Sequence, residues 1–521
     1  MRFKVYLWLL VALFCSGAFV ASLRANTTKP NVLFIIVDDL MPRLGTYGDP
    51  QAVTPNMDKL GSAGTVFERA YAQQALCSPS RVSFLTGLRP DAHYEVRTSQ
   101  RMRTLNPDVV TLPEFFAQNG YRTKGMGKVF DGRTVVNNDE PSWTEPYYSS
   151  WKPAFPDPYG SPAGHHYQEP KLKEQYANKW EALSPWWMEA KRLLSEGMRP
   201  AVESVDLPDI AYFDGLMGEE AVQYIKRQSS SSQDKPFFLS VGFIKPHLPF
   251  VAPKKYWDLY DRNSFELASQ TSYPIGAPEV AYNSYHEIED YNTSSGEFGN
   301  FSAEVQRELI HGYMACVSYV DAQVGKLMTA LTNAELAKNT IIVLVGDHGF
   351  HLGDKGEWGK HTNYEEATRV PLIVYAPGMP RDVRYDGVVE LVDIFPTLNE
   401  LAGLPSIPEL AGESFVPALK GNHMPQKSNV AISQYIRKGA MGYAIRDERY
   451  RYVEWREAGT DRKSVDEVTG NIVARELYDY GEATDSSGEG RNLIDLVEYA
   501  PVVDVLQAKM NDELEYLVAP K

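Results

Sequence analysis

The sequence contains little cysteine, little positive charge and only one long apolar run. Its 521 residues include three cysteines, too few for the disulfide framework that supports many small secreted proteins. The fold must therefore depend on a hydrophobic core, and a chain of this length usually forms a main domain and a smaller one. The formal net charge of −16 argues against a nucleic-acid-binding protein, which normally carries a basic face.

The long apolar run lies at the N-terminus, over residues 5–21, and follows Arg2 and Lys4. Basic, then apolar, then small and polar residues are the order found in a secretory signal peptide, which we place at residues 1–25. A retained N-terminal anchor is the alternative. No later segment approaches the roughly 20 apolar residues that a transmembrane helix needs. We therefore expect an exported protein, periplasmic or extracellular, without stable membrane insertion.

Several shorter apolar runs, rich in β-branched residues, predict strands that are buried on both faces of a parallel sheet. They are residues 31–37, 237–241, 340–345 and 371–375. Amphipathic helical patterns lie between them, most clearly over residues 303–330, where the apolar residues fall on one stripe. This alternation predicts the α/β class, with a mostly parallel, doubly wound sheet flanked by helices.

The C-terminal part of the chain has shorter segments in which apolar and polar residues alternate, as in half-exposed antiparallel strands. Examples are residues 442–446 and 450–454, and a final helix is predicted over 499–517. We predict a catalytic domain over residues 30–424 and a smaller C-terminal α+β subdomain, containing an antiparallel sheet, over 425–521.

Two pairs of potential metal ligands follow directly after predicted strands. Asp38 and Asp39 come after the first strand, and Asp347 and His348 come after the strand over 340–345. Adjacent carboxylates near a core repel each other and lose solvation unless a cation compensates them. Either pair alone fits a capped turn, but two pairs at the carboxyl ends of strands predict a metal site. The histidine favours zinc or manganese and the carboxylates favour calcium or magnesium, so these residue types leave the metal open.

Cys77 lies between a polar segment and an apolar helical stretch. We therefore expect it near a helix N-terminus, where the backbone favours a bound anion. A cysteine in that position is either a reactive thiol or simply buried. Cys316 is different, because it lies within the amphipathic helical pattern and is predicted to be a core residue.

The segment Cys77-Ser78-Pro79-Ser80-Arg81 matches the Cys-x-Pro-x-Arg signature that formylglycine-generating enzymes recognise in type I sulfatases. Three further blocks resemble the iduronate-2-sulfatase branch of that family: residues 125–130 (Gly-Met-Gly-Lys-Val-Phe), 245–250 (Lys-Pro-His-Leu-Pro-Phe) and 356–361 (Gly-Glu-Trp-Gly-Lys-His). The resemblance covers nearly the whole mature chain and is weakest over 132–205. It implies an alkaline-phosphatase-like fold and a hydrolase that removes sulfate from a sulfated sugar or polysaccharide, such as a glycosaminoglycan.

The resemblance also implies roles for individual residues. It implies that a formylglycine-generating enzyme converts Cys77 to formylglycine during maturation, and that Arg81 steadies the product. The implied ligands of a Ca²⁺ ion are the modified Cys77, Asp38, Asp39, Asp347 and His348. The implied substrate contacts are Lys128 and Lys360 on the sulfate oxygens, His247 beside the leaving oxygen as a general acid, and His361.

Three positions depart from the iduronate-2-sulfatase pattern. That branch carries a histidine three residues after the lysine of the Gly-Lys-Val-Phe motif, whereas this sequence has Asp131. A carboxylate accepts a proton from a gem-diol as a base, so we expect Asp131 to act beside the formylglycine. The alternative is that it serves the substrate or another group. Met41 and Phe350 replace an arginine and a tryptophan of that branch, which weakens the case for iduronate as the sugar.

Two other functions fit parts of the pattern. A phosphatase or phosphodiesterase of the alkaline phosphatase superfamily shares the sheet and the Asp-rich metal site, but usually has threonine or serine as its nucleophile. Cys77 with Pro79 and Arg81 argues against it. A non-catalytic protein that binds sulfated glycans is expected if Cys77 is not converted. In every case an acidic protein must concentrate its cations inside the pocket to bind a polyanion.

Overall fold

The computed structural model of this protein describes residues 29–93, 101–149, 154–179, 186–229, 235–283, 285–296, 298–424, 429–458, 470–481 and 488–518. The predicted signal peptide at residues 1–25 lies outside the described residues. Among the helices within those ranges, none combines the length and the apolar character needed to span a bilayer.

The described strands and helices alternate along most of the chain. The strands are β1 (Asn31–Val37), β2 (Thr65–Tyr71), β3 (Arg122–Gly127), β4 (Tyr148–Ser149), β5 (Val202–Glu203), β6 (Phe237–Phe243), β7 (Phe250–Val251), β8 (Thr340–Gly346), β9 (His351–Leu352), β10 (Trp358–Gly359), β11 (Arg369–Tyr375), β12 (Val383–Glu390), β13 (Ala431–Arg437), β14 (Ala440–Arg446), β15 (Tyr450–Glu457) and β16 (Ile472–Asp479). The α-helices are α1 (Pro55–Ala63), α2 (Cys77–Thr86), α3 (Pro90–His93), α4 (Met102–Leu105), α5 (Leu112–Gln118), α6 (Pro170–Lys179), α7 (Trp186–Ser195), α8 (Phe213–Ser229), α9 (Lys254–Trp257), α10 (Ala303–Asn333), α11 (Glu365–Thr368), α12 (Ile394–Leu401), α13 (Val416–Leu419) and α14 (Ala500–Val518).

Eight strands form the main sheet, in the order β12-β2-β11-β8-β1-β6-β3-β4. Neighbouring strands are parallel except for β11, which runs antiparallel to both β2 and β8. The predicted mostly parallel α/β sheet is therefore confirmed. Val37 at the end of β1 pairs with Phe243 of β6 and with Gly346 of β8. The three strands end level with one another, so the residues that follow them meet at one edge of the sheet.

The side chains of β1 alternate between two cores on opposite faces of the sheet. Leu33 and Ile35 pack in the core that contains the buried side of α10. Val32 and Phe34 pack in the core formed with α2, α5 and α12. A fully buried aliphatic or aromatic side chain contributes about 1.5–3 kcal/mol relative to an exposed one. This double burial holds the central strand, and the site at its end, in a fixed position.

Helix α10 packs on one face of the sheet, in the same core as α1 and α8. It begins at Ala303 because the hydroxyl of Ser302 accepts a hydrogen bond from the N–H of Val305 at 3.3 Å, which satisfies one of the free donors of the first turn. Its apolar residues then recur with helical spacing and are buried from Leu309 to Leu331. The helix predicted over residues 303–330 is confirmed and continues for three more residues.

A second sheet lies in the C-terminal part, where β13, β14, β15 and β16 pair antiparallel in chain order. The prediction that its strands are half-exposed is wrong for β14, which is buried along its whole length. Met441 and Ile445 pack against α14 on one face, and Ala444 packs near Ala281 of the main domain on the other. Several charged residues of these strands, among them Arg446, Arg451 and Glu454, are buried in ionic contacts, whereas Glu457 is exposed. The boundary near residue 425 stays a prediction.

Candidate active site

The ends of β1 and β8 bring the two predicted pairs of metal ligands together. The N–H of Asp39 donates to Oδ1 of Asp347 at 3.0 Å, and the hydroxyl of Tyr313 donates to the carbonyl of Asp39 at 2.8 Å. Asp39 has φ of 58°, in the left-handed region that non-glycine residues rarely adopt. Such strain persists only where surrounding contacts hold it, and it is frequent at functional sites.

Cys77 is the first residue of α2, as predicted, and its side chain is buried. Its Sγ lies 3.3 Å from Nε2 of His348 and 3.6 Å from Nζ of Lys128. One ligand atom from each of Asp38, Cys77, Asp347 and His348 lies within 4.8 Å of the others, and the same holds for Asp38, Asp39, Cys77 and His247. The structure thus brings the whole predicted ligand set into one site.

The environment of Cys77 does not favour a thiolate. Burial raises the pKa of the thiol well above its ordinary value, and the negative charge of Asp38 raises it further, although Lys128 and Lys360 act in the opposite direction. The thiolate is the nucleophilic form of cysteine. These groups by themselves therefore favour the thiol over the thiolate.

Three cations neutralise the three buried aspartates. Arg81 donates from Nη2 to Oδ1 of Asp38 at 2.9 Å and from Nε to Oδ2 of Asp347 at 2.8 Å, and all three side chains are fully buried. Lys128 pairs with Asp38. Lys360 lies 2.8 and 2.9 Å from the two carboxylate oxygens of Asp39.

Ion pairs hold Asp38 and Lys360 in their charged forms, whereas burial raises the pKa of Asp347 despite the contact with Arg81. Burial alone would raise the pKa of Asp38, but Lys128 and Arg81 hold it well below its ordinary value. Burial alone would lower the pKa of Lys360, but Asp39 raises it well above the ordinary value. Both groups therefore carry full charge where a divalent cation and an anion would meet.

The donor set fits a hard divalent cation. Three carboxylates supply oxygen ligands, which Ca²⁺ and Mg²⁺ prefer. Nδ1 of His348 lies 3.0 Å from the carbonyl oxygen of Gly349, and a hydrogen bond there leaves Nε2 directed to the site, as in many histidine metal ligands. The residues that would hold an ion are Asp38, Asp39, Asp347, His348 and the residue derived from Cys77.

His247 lies at the mouth of this site, beside a glutamate that the sequence did not point to. Nε2 of His247 is 3.2 Å from Oε1 of Glu287, and its Nδ1 is 2.6 Å from the carbonyl oxygen of Leu248. Oε2 of Glu287 is also 3.2 Å from Nζ of Lys360. Burial alone would raise the pKa of Glu287, but Lys360 and His247 hold it well below its ordinary value. Glu287 was missed because the acidic run over residues 286–290 is typical of a solvated surface.

Asp131 is buried but is engaged by a neighbour. Its carboxylate accepts hydrogen bonds from Nε (2.9 Å), Nη2 (2.6 Å) and the N–H (2.9 Å) of Arg133. Burial would raise its pKa, but Arg133 and Lys128 hold it well below the ordinary value. Within the described ranges this carboxylate makes no hydrogen bond to Cys77, so no contact supports the expected role as a base.

His361 is buried next to Lys360 and has φ of 71°. Its ring lies between those of Tyr285 and Tyr435, with centroids 5.3 and 5.9 Å away, and Arg437 donates to its carbonyl oxygen. Burial lowers its pKa well below the ordinary value. These contacts hold His361 beside Lys360, and the expected contact of its ring with the substrate stays a prediction.

The sequence of this chain matches known families over most of its length. The family model described as Sulfatase matches residues 30–404, and the model described as N-sulphoglucosamine sulphohydrolase, C-terminal, matches residues 353–515. Iduronate 2-sulfatase from Homo sapiens is 35% identical over 501 residues, a match that covers 83% of this chain and 86% of the relative.

Solved structures with lower identity share the fold. A protein solved in complex with its substrate D-glucosamine-2-N,6-O-disulfate is 19% identical with a TM-score of 0.69, covering 94% of this chain and 98% of that one. The phosphonate monoester hydrolase of Agrobacterium radiobacter is 21% identical with a TM-score of 0.68, covering 94% and 96%. These likenesses confirm the predicted alkaline-phosphatase-like fold with its smaller antiparallel sheet.

Proposed function

Because the chain belongs to the sulfatase family of sulfuric ester hydrolases, we propose that it removes sulfate from a sulfated uronic acid of a polysaccharide. The observation that carries this proposal is the convergence of Cys77 with three aspartates and two lysines in one buried site. Such a site combines a nucleophile, a cation-binding group and a binding place for an anion. These are the components that transfer of a sulfuryl group requires.

The proposed nucleophile is the formylglycine that a formylglycine-generating enzyme makes from Cys77. The hydrated aldehyde would supply the attacking hydroxyl group. The Cys-x-Pro-x-Arg segment supports the conversion. Arg81 contributes by fixing Asp38 and Asp347 beside this residue.

The proposed metal is Ca²⁺, held by the modified Cys77, Asp38, Asp39, Asp347 and His348. When bound there, it would acidify the attacking hydroxyl group and offset negative charge on the sulfuryl oxygens. Three carboxylates make the site hard despite the one imidazole, which favours calcium over zinc.

The remaining side chains bind the sulfate and move a proton. Lys128 and Lys360 would hold the sulfuryl oxygens, because each ammonium group is fixed beside the nucleophile by an aspartate. His247 would donate the proton on Nε2 to the leaving sugar oxygen. Glu287 faces that nitrogen and would keep the ring oriented until the substrate displaces the contact.

The proposed sugar is a uronic acid sulfated at C2, as the name of the human relative states for that protein. Two departures from that branch lie in the core rather than in the site. Phe350 is fully buried and its ring packs against those of Phe250 and Tyr313, and the buried Met41 donates its N–H to the hydroxyl of Tyr313. Neither change removes a side chain from the sulfate site, so both are compatible with a uronic acid substrate.

The domain boundaries and the location of the protein belong to the same proposal. We place the catalytic domain at residues 30–424, the C-terminal subdomain at 425–521 and the signal peptide at 1–25. A polysaccharide substrate agrees with an exported enzyme, acting in the periplasm or outside the cell.

The proposal is tested by measuring sulfate release from defined disaccharides that carry sulfate at C2 of a uronic acid, at N or C6 of glucosamine, or on galactose. Phosphate monoesters serve as the comparison for phosphatase activity. We expect the sulfate at C2 of the uronic acid to be released most rapidly, and chelation of divalent cations to stop the reaction until calcium is restored.

Two cysteine variants provide the matched control. Cys77→Ala should abolish sulfate release, whereas Cys316→Ala should retain it, because Cys316 is a core residue of α10. Near-normal sulfate release by Cys77→Ala would overturn the mechanism. Release of phosphate alone would overturn the choice of substrate.

A further inference from the structure

A second group of potential metal ligands lies outside the catalytic site. Nδ1 or Nε2 of His351 and one carboxylate oxygen from each of Asp354 and Glu366 lie within 4.8 Å of one another. His351 belongs to β9, Asp354 follows it in the next turn and Glu366 belongs to α11. The three side chains therefore come from the two ends of the segment over residues 351–366.

The histidine of this group has one ring nitrogen without a partner. His351 is fully buried, and its Nε2 is 2.8 Å from Oγ1 of Thr362. Its Nδ1 makes no hydrogen bond to any described residue and lies 3.9 Å from Oε2 of Glu366. A buried polar atom without a partner costs free energy, which a ligand bound at Nδ1 would remove.

The charges around this histidine do not balance within the described part of the chain. Lys355 contacts both oxygens of Glu366 at 2.7 and 2.8 Å and Glu489 at 2.8 Å, and Glu489 also pairs with Arg451 at 2.8 Å. Asp354 forms no salt bridge with a described residue. Burial raises its pKa, and the negative charge of Glu366 raises it further. Asp354 therefore has no cation in direct contact among the described residues, although His351 and Lys355 favour its ionised form from a greater distance.

We propose that His351, Asp354 and Glu366 bind a divalent transition-metal ion, Mn²⁺ or Zn²⁺, at a site separate from the catalytic one. One imidazole nitrogen and two carboxylates are a donor set for these ions rather than for Ca²⁺. Lys355 keeps its contact with Glu489 when one oxygen of Glu366 turns to the ion. Water fills the remaining positions.

This ion has a structural role. It joins both ends of the segment that carries Lys360 and His361, and the imidazole that binds it is held by Thr362 from the same segment. The proposal concerns ion binding alone, so it stands or falls independently of sulfate hydrolysis. Loss of the ion would loosen the position of Lys360 without removing a group that contacts the substrate.

The test is titration of the purified full-length protein with Mn²⁺, followed by electron paramagnetic resonance, in a buffer with excess Ca²⁺. The calcium fills the proposed catalytic site, so the bound manganese reports the second site.

The variants are His351→Asn and Asp354→Asn. Asp354 is less buried than His351, so its variant is expected to fold even if the His351 variant does not. The control is His311→Asn, because Nε2 of that buried histidine lies near the carbonyl of Trp257 and Nδ1 near Arg262.

We expect about one bound Mn²⁺ per chain in the wild type and in the control, and at least about tenfold weaker binding in the two site variants. Zn²⁺ should displace the manganese and raise the Tm of the wild type by about 3 °C at saturation. The proposal is overturned if the wild type binds no Mn²⁺ under these conditions. It is equally overturned if both site variants bind it as tightly as the wild type.

Discussion

Lys360 is a positively charged residue whose side chain is nearly fully buried, with 2% of it exposed. Burial alone would lower its pKa, but contact with Asp39 keeps it well above the ordinary value. A charge in such a position acts more strongly on an anion than a solvated charge does. The net charge of −16 is therefore compatible with a sulfated substrate, because the cations that matter are concentrated within the site.

We expect Lys360→Ala to lower kcat/KM for a sulfated disaccharide by about 100-fold or more, the loss typical when a group that stabilises developing charge is removed. The matched control is Lys254→Ala. Lys254 is half-exposed, and its only salt bridge with a described residue is to Asp258. Steady-state kinetics measures both. Equal rates for the two variants would contradict the role given to Lys360.

Asp131 and Arg133 form one ion pair, so their variants should behave alike. Asp131→Asn and Arg133→Ala each break the same contacts, and we expect similar changes in turnover with an unchanged acidic limb of the pH profile. The low pKa of Asp131 makes it a weak base. Loss of the acidic limb in Asp131→Asn alone would restore the role as a base that the sequence predicts.

The sequence predicted which residues meet in the site better than it predicted what surrounds them. Asp38, Asp39, Asp347 and His348 were found because paired ligands at strand ends are a local pattern. Glu287 was not found, since its contacts with His247 and Lys360 join distant parts of the chain. The ion pair between Asp131 and Arg133 was also missed, because the spacing of residues along the sequence does not show which cation a buried carboxylate contacts.

At the scale of elements, α1 begins without a cap from its own sequence. Thr54 at its N-cap donates from Oγ1 to Oδ1 of Asp58 at 3.0 Å, but its side chain accepts no hydrogen bond from the N–H groups of the first turn. Asp321 of α10 instead accepts hydrogen bonds from the N–H groups of Asn56 (3.0 Å) and Met57 (2.7 Å). One helix thereby supplies the cap of another, which satisfies donors that would otherwise be buried.

We expect Asp321→Ala to lower the free energy of unfolding by about 1–2 kcal/mol, the usual cost of losing an N-cap. Urea unfolding at pH 8 measures it, because burial raises the pKa of Asp321 to about 6 and the carboxylate is ionised there. Asp258→Ala is the control, since that carboxylate is 58% exposed and should change stability by less than about 0.5 kcal/mol. A loss no larger than in the control would refute the capping role.

Long apolar elements were predictable and short ones were not. β1, β8 and α10 follow the hydrophobic periods closely because each is buried by the main cores. Strands β9 and β10 have two residues each, which is too short to show a hydrophobic period. They form by pairing with each other around the loop that carries Lys360. The full burial of β14 also escaped prediction, because alternation does not reveal that both faces are covered.

At the scale of the whole molecule, buried ion pairs join the two sheets. Glu365 of α11 lies 3.3 Å from Nε of Arg446 and 2.6 Å from Nη2 of Arg451. Lys355 lies 2.8 Å from Glu489. These side chains are nearly fully buried. Removing one partner of such a pair leaves an uncompensated charge, at a cost of about 3–5 kcal/mol.

A chain that ends at residue 424 should therefore fail to fold, although the catalytic residues all precede that position. Its Glu365 and Lys355 would lose the partners described above. We expect it to be insoluble, or to lack a cooperative thermal transition by circular dichroism. Co-expression of residues 425–521 as a separate chain is the control and should restore solubility. A stable, cooperative fragment without that second chain would show that the two sheets are independent.

The central claim is that this sulfatase acts through a formylglycine derived from Cys77. Mass spectrometry of the peptide containing Cys77, compared with turnover of the same preparations, tests it most directly. Protein made with a formylglycine-generating enzyme should carry the aldehyde in a fraction that matches its active fraction, and protein made without that enzyme should carry the thiol and release no sulfate. Full turnover by protein whose Cys77 is entirely unmodified would contradict the account.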